Sequence, residues 1–142
     1  MLVRLLYASR SVRPLSAEDI ESILAQSRKH NPDLGITGIL CQSGDVFLQV
    51  LEGGRAPVND LYGQIVRDPR HRDVTVLYFE EVAERRFAGW TMGQVNLAKV
   101  NPSTLLKYCE RPVLDPAAIP GAAAMALIEE LIATAQIIGR TG

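Results

Sequence analysis

The run Val46-Phe47-Leu48-Gln49-Val50-Leu51 limits the folds open to this chain more than any other stretch. Short, and rich in branched and aromatic residues, it reads as a strand. Side chains alternate along a strand, so Phe47, Gln49 and Leu51 share one face and Val46, Leu48 and Val50 the other. Both faces are mostly apolar, and a sheet with two apolar faces needs two covers. Residues 35–41 form the preceding strand. The short Gly-containing turn Gln42-Ser43-Gly44-Asp45 joins the two into a β-hairpin.

The flanking segments supply the covers. Residues 2–9 read as a first strand. Ser16 is a helix N-cap with Asp19 in the capping-box position, and Glu18 adds charge at the positive helix end. The helix that follows places Ile20, Ile23, Leu24 and Ser27 at helical spacing and is expected to stop by His30, because Pro32 disfavours helical geometry at Asn31. A second helix over residues 57–66 carries Val58, Leu61, Tyr62 and Ile65 on one stripe. Strands over 74–82 and 91–97 complete the order β-α-β-β-α-β-β. Paired βαβ units around a hairpin predict an α+β, ferredoxin-like, five-stranded mixed sheet with both helices on one face. Prolines 102, 112, 116 and 120 then punctuate a different kind of segment, with helices expected over 103–110 and 122–138. The last carries an apolar stripe of Met125, Ile128, Leu131, Ile132, Ala135 and Ile138. It is the expected second cover, acting in cis or against a partner subunit. The predicted units are thus 1–98 and a helical extension, 99–142.

Composition narrows the classes. Of 142 residues, 47% are hydrophobic and 22% charged, an ordinary globular balance that argues against global disorder. Fifteen basic against sixteen acidic residues leave a formal net charge of −1, without the basic footprint of phosphate-backbone binding. No direct nucleic-acid partner is expected. Cys41 and Cys109 are too few for a disulfide framework, and Cys41 reads as a small buried hydrophobe. No run approaches the roughly 18 apolar residues of a membrane span, and the N-terminus lacks a signal-peptide pattern. A soluble, cytoplasmic protein is expected.

Several residues sit oddly in a plain core. Gln49 lies mid-strand among apolar neighbours, and its amide brings two donors and two acceptor sites. Either the backbone or a water satisfies it, or it addresses the polar edge of a ligand. Tyr7 shares a strand face with Val3 and Leu5, as a core aromatic or a site residue. Asn31 follows the first helix as a cap or a pocket group. Trp90 and Met92, two apart on the fifth strand, are expected to share a face. Asp68-Pro69-Arg70-His71-Arg72 forms a charged turn or a pocket rim. Taken together, these residues point to one polar-and-aromatic pocket, with Ile23 and Ile65 gripping a flat apolar object and Tyr7, Gln49 and Asn31 at its polar edge.

These stretches resemble a BLUF domain, a blue-light sensor using flavin. The matching runs are 2–9 (LVRLLYAS), 31–40 (NPDLGITGIL), 47–53 (FLQVLEG), 68–71 (DPRH) and 84–93 (ERRFAGWTMG). The resemblance implies that Tyr7 gives an electron and a proton to the excited flavin. It implies that Gln49 bridges Tyr7 and the flavin N5/O4 edge, and that Asn31 holds the C4=O/N3 side. Met92 would lie beside the glutamine, with Trp90 nearby. Ser9, Ser27 and His30 would line the pocket, Ile23 and Ile65 would sandwich the ring, and Asp68, Arg70 and His71 would lie near the isoalloxazine and ribityl chain. The implied cofactor is non-covalent FAD, with FMN or riboflavin as alternatives.

The implied function is a blue-light photoreceptor rather than an enzyme. Reversible proton-coupled electron transfer with Tyr7 would rearrange Gln49, by rotation or tautomerisation. The signal would pass through the fifth strand and C-terminal helices to a separate effector, such as a response regulator or transcription regulator. A homo-oligomer is expected from the apolar second face. The alternatives are a light-insensitive ferredoxin-like ligand-binding or oligomerisation module and an acylphosphatase-like enzyme. The latter would want a glycine-rich phosphate cradle, and Ser9-Arg10-Ser11-Val12-Arg13 has no glycine.

Overall fold

Hydrogen-bonded pairing assembles the five expected strands in the order β4-β1-β3-β2-β5. The computed structural model describes residues 1–134 and 137–139. The strands are β1 (Leu2–Ser11), β2 (Thr37–Ser43), β3 (Val46–Gly54), β4 (His71–Val82) and β5 (Gly93–Asn96). β1 runs antiparallel to β3 and β4, β2 antiparallel to β3, and β5 parallel to β2. This is the mixed α+β, ferredoxin-like sheet. Ser43 faces Val46 across a two-residue turn, where Gly44 takes φ 58°, a left-handed geometry glycine adopts without strain.

Helix α1 (Ala17–Leu34) begins with the expected capping box. Asp19 N–H donates to Ser16 Oγ at 3.1 Å, and Ser16 N–H to Asp19 Oδ2 at 2.9 Å. It does not stop at His30. Pro32 lies in the last turn, where a missing N–H forfeits only the ladder bond to the fourth preceding carbonyl. Gly35, at φ 67°, then closes the end. Its N–H reaches Pro32 O at 3.1 Å, and Ile36 N–H reaches Asn31 O at 2.9 Å. The extra turn carries Asn31 inward rather than into a loop.

Each sheet face has its own core. Ile20 and Leu24 of α1 and Val58 of α2 (Arg55–Arg67) pack on Val3, Leu5, Tyr7, Leu40, Phe47 and Leu51. On the opposite face, α3 (Pro102–Leu106) and α4 (Gly121–Ala133) cover Leu6, Ala8, Ile39, Cys41, Leu48 and Val50. The second cover is therefore supplied in cis. Leu127, Ile128 and Leu131 of α4 are wholly buried, each stabilising the fold by about 1.5–3 kcal/mol. Gly121 lets α4 start directly on β4, since a Cβ there would fall 2.0 Å from Leu77 O.

The tail departs from expectation at two points. α3 ends at Leu106, and residues 107–109 continue as turns, with the N–H groups of Tyr108 and Cys109 both bonded to Leu105 O. α4 ends at Ala133 rather than reaching Ile138. Ile138 forms an antiparallel bridge to Gln94 instead, so its backbone groups are satisfied by β5. Ala135 lies outside the described residues.

Candidate functional site

β1 and β3 are in register such that Tyr7 lies directly opposite Gln49. Both face α1 and α2. The Tyr7 hydroxyl donates to Gln49 Oε1, and Gln49 Nε2 donates to Met92 Sδ at 3.3 Å. A buried amide is thus held between a phenol on one side and a thioether on the other. Burial, with smaller contributions from Tyr62 and Asp68, pushes the Tyr7 phenol well above its ordinary value, so it keeps its proton at neutral pH. Tyr62 of α2 packs edge-on against its ring, centroids 5.8 Å apart.

Above this floor, α1 and α2 part to leave a cleft of about 550 Å³. That volume is within the range of small-molecule sites. Ile23 and Ile65 stand on its opposing helical walls, with Ser27 and His30 on the α1 side and Tyr7 and Gln49 lining it from the sheet. Asn31, 3% exposed, also lines it and directs Nδ2 to Thr91 O at 3.4 Å. Asp68 and Arg70 contribute from the turn after α2, and His71 from the start of β4. Arg70 grips the Asp68 carboxylate with Nε at 3.0 Å and a terminal nitrogen at 2.6 Å, holding that carboxyl below its ordinary range. His71 packs edge-on against Phe47, centroids 5.4 Å apart, with Nδ1 3.1 Å from Ser9 Oγ. Burial lowers its pKa, and the neutral ring is favoured.

Three expected site residues do not line the cleft. Ser9 is buried beneath the wall and reaches it through His71. Met92 lies behind Gln49 as its hydrogen-bond acceptor. Trp90 packs in the tail-side core, whereas Met92 packs in the helix-side core. The expectation that they share a strand face is corrected: β5 begins at Gly93, and residues 90–92 precede it in irregular backbone, where two-residue alternation does not apply. Gly38 N–H holds Trp90 O at 2.8 Å, while Arg28 donates from Nε and a terminal nitrogen to Met92 O at 3.2 and 3.1 Å.

Sequence reasoning missed other lining residues, among them Gln26, Leu34, Leu40, Phe47, Leu61 and Gln64. Their spacing carried a signal. Gln26 and Leu34 continue the α1 stripe of Ile23 and His30, Leu61 and Gln64 flank Ile65 on α2, and Leu40 lies opposite Gln49 in the hairpin. Arg28 gave none, because its role depends on where residue 92 returns.

The chemistry of this lining suits a planar ring with an apolar body and a polar edge, such as an isoalloxazine. Branched apolar side chains stand on both walls, and the cleft is also lined by the carboxamides of Gln49 and Asn31, which donate to the neighbouring residues Met92 and Thr91. Among the described residues, no group of three or more His, Cys, Asp or Glu side chains is placed to hold a metal ion, and no helix is long and apolar enough to cross a membrane.

Comparison with known proteins gives the same picture. The chain is 37% identical over 92 residues to the photoactivated adenylate cyclase subunit beta of Euglena longa, a match covering 64% of this chain and 11% of that protein. The solved dark-state structure of BlrB, a BLUF protein, superposes with a TM-score of 0.76 at 34% identity, covering 94% of this chain and 96% of BlrB. Klebsiella pneumoniae BlrP1, solved with FMN and cyclic diGMP, superposes at 0.67 with 36% identity, covering 75% of this chain and 29% of that one. The family description "Sensors of blue-light using FAD" matches residues 2–93, the stretch that builds β1 to β4, both cleft helices and the Tyr7–Gln49–Met92 relay. The chain belongs to the BLUF family of blue-light flavin sensors.

Proposed function

We propose that the protein is a blue-light photoreceptor that signals by contact rather than by turnover, with residues 1–98 as the sensor and 99–142 as the output extension. The observation that carries this reading is the relay from Tyr7 through Gln49 to Met92 beneath the cleft. Ile23 and Ile65 would clamp the ring common to FAD, FMN and riboflavin. Asn31 and Gln49 would hold its polar edge, and Ser27, His30, Asp68, Arg70 and His71 would complete the pocket around the rest of the molecule. Bound there, the flavin supplies a chromophore that becomes a one-electron oxidant on absorbing blue light.

The residues of the chain do the rest. Tyr7 releases an electron and its phenolic proton, which already points at Gln49 Oε1. Gln49 exchanges its donor and acceptor ends, and Tyr7 then recovers both particles. Met92 makes that exchange cheap, because a thioether accepts weakly and donates nothing, so little is lost when Nε2 leaves it. The altered hydrogen bond biases the 90–93 segment, which bears on β5 and the tail. The recipient is a separate effector protein.

Spectra before and after blue illumination test this directly. The purified chain should be yellow and show a reversible red shift of its visible bands. Gln49→Leu should keep the colour and lose the shift entirely. A normal photocycle in that variant would refute the role of the amide. A chain that is colourless and takes up no flavin would refute the whole reading.

A further inference from the structure

Residues 137–139 run along the side of β5 that β2 leaves open. Ile138 and Gln94 exchange backbone hydrogen bonds of 3.0 and 2.9 Å, and Gln94–Ile138 is an isolated bridge. The strap is seated at both ends. Ile137, 8% exposed, drops into a notch that exists because residue 93 is glycine. A Cβ there would fall 2.8 Å from Ile137 Cγ2, 2.7 Å from Ile39 Cδ1 and 3.0 Å from Trp90 Cε3. Gly139 adopts φ 98°, and a Cβ on it would fall 2.7 Å from a terminal nitrogen of Arg28, the guanidinium that holds Met92 O. Residues 92, 93 and 94 therefore bind, in turn, the switching amide, the buried strap side chain and the strap backbone.

We propose that the open edge of β5 is a docking surface for an extended segment of a partner protein, and that residues 137–139 are its built-in placeholder, displaced in the lit state. The proposal rests on the light-sensing reading above. One bridge and one apolar side chain hold the strap, so a segment pairing along the whole of β5 outcompetes it once residue 92 shifts. The notch and its surroundings define the occupant. It presents a branched apolar side chain to Gly93, Ile39 and Trp90, alternate backbone groups to Gln94, and a carbonyl or carboxylate to Arg28.

A fluorescent synthetic peptide carrying residues 133–142 serves as probe, titrated against the full chain in darkness and under blue light. Two full-length variants are titrated in darkness only. Ile137→Asp cannot occupy the notch, and Gly139→Val strains the strap at its positive φ without touching the core. Wild type should bind the probe at least tenfold more tightly when lit, and both variants should bind in darkness as the lit wild type does. Equal binding by wild type in both states despite a normal spectral shift, or no binding by either variant while circular dichroism shows them folded, overturns the proposal. The dark arm keeps the two readings separable. Variants that bind although no spectral shift occurs uphold the docking edge and break the light-sensing reading. A normal shift with no binding by any protein does the reverse.

Discussion

Two buried polar pairs span the same two strands on opposite faces of the sheet. Tyr7 faces Gln49 toward the cleft, and Arg4 faces Glu52 toward the tail. The first pair is neutral and held by a single hydrogen bond between its members, with a thioether as the only other acceptor among the described residues. The second is ionic and over-determined. Glu52, fully buried, accepts from Arg4 at 2.8 Å, from Arg86 N–H at 2.9 Å and from Phe87 N–H at 2.6 Å, while Arg4 also reaches Glu80 at 2.6 Å. Arg86 is in turn paired with Glu129 of α4. The group proposed to change partners has few and weak ones; the group that holds a loop in place has many and strong ones.

The most disruptive way to probe this contrast is Glu52→Ala. It strands the Arg4 charge, 4% exposed, and frees the loop that carries Trp90 and Met92. A loss of about 3–5 kcal/mol in denaturant unfolding is expected. A loss below about 1 kcal/mol would show that the ionic pair is not the anchor described here. Tyr7→Phe should cost only about 1 kcal/mol, the scale of one hydrogen bond, yet abolish the light-induced shift. If stability falls as far as in Glu52→Ala, the two pairs do not differ in kind.

The smallest effect concerns His71. Its folded pKa lies below the ordinary value because burial disfavours the charged ring. Stability is then fully present above about pH 6.5 and falls as acid protonates the unfolded chain first, down through the folded pKa. A modest loss of stability between pH 7 and 5, absent in His71→Gln, is the expected result. An identical pH slope in wild type and variant would show that His71 does not report on the cleft wall.

Much of this was legible along the chain. Strand alternation isolated Gln49 as the one polar residue in an apolar run, and the Ser16–Asp19 box marked the start of α1. The helical stripes of α1 and α2 placed Ile23 and Ile65 toward one cleft. Other features were hidden by physics rather than by oversight. Arg4 and Glu52 are separated by 48 positions and meet only once β1 and β3 take their register. Trp90 and Met92 diverge because the Gly38 N–H and the Arg28 guanidinium hold the carbonyls of the segment out of strand geometry. Pro32 is helical because Gly35 closes the end just beyond it. The strap over β5 was invisible because an apolar stripe reads as helix until backbone partners elsewhere claim it.

The opposite parity of the two pairs has a consequence for how the chain finds its alignment. Sliding β3 by one position against β1 would turn Gln49 into the sealed hydrocarbon under α4 and push Glu52 toward the cleft, leaving Arg4 buried without its counter-charge. Such a misthreaded sheet is penalised by several kcal/mol before any packing defect is counted. The ion pair on the tail side thus acts as a combination lock for the Tyr7–Gln49 pair it never touches.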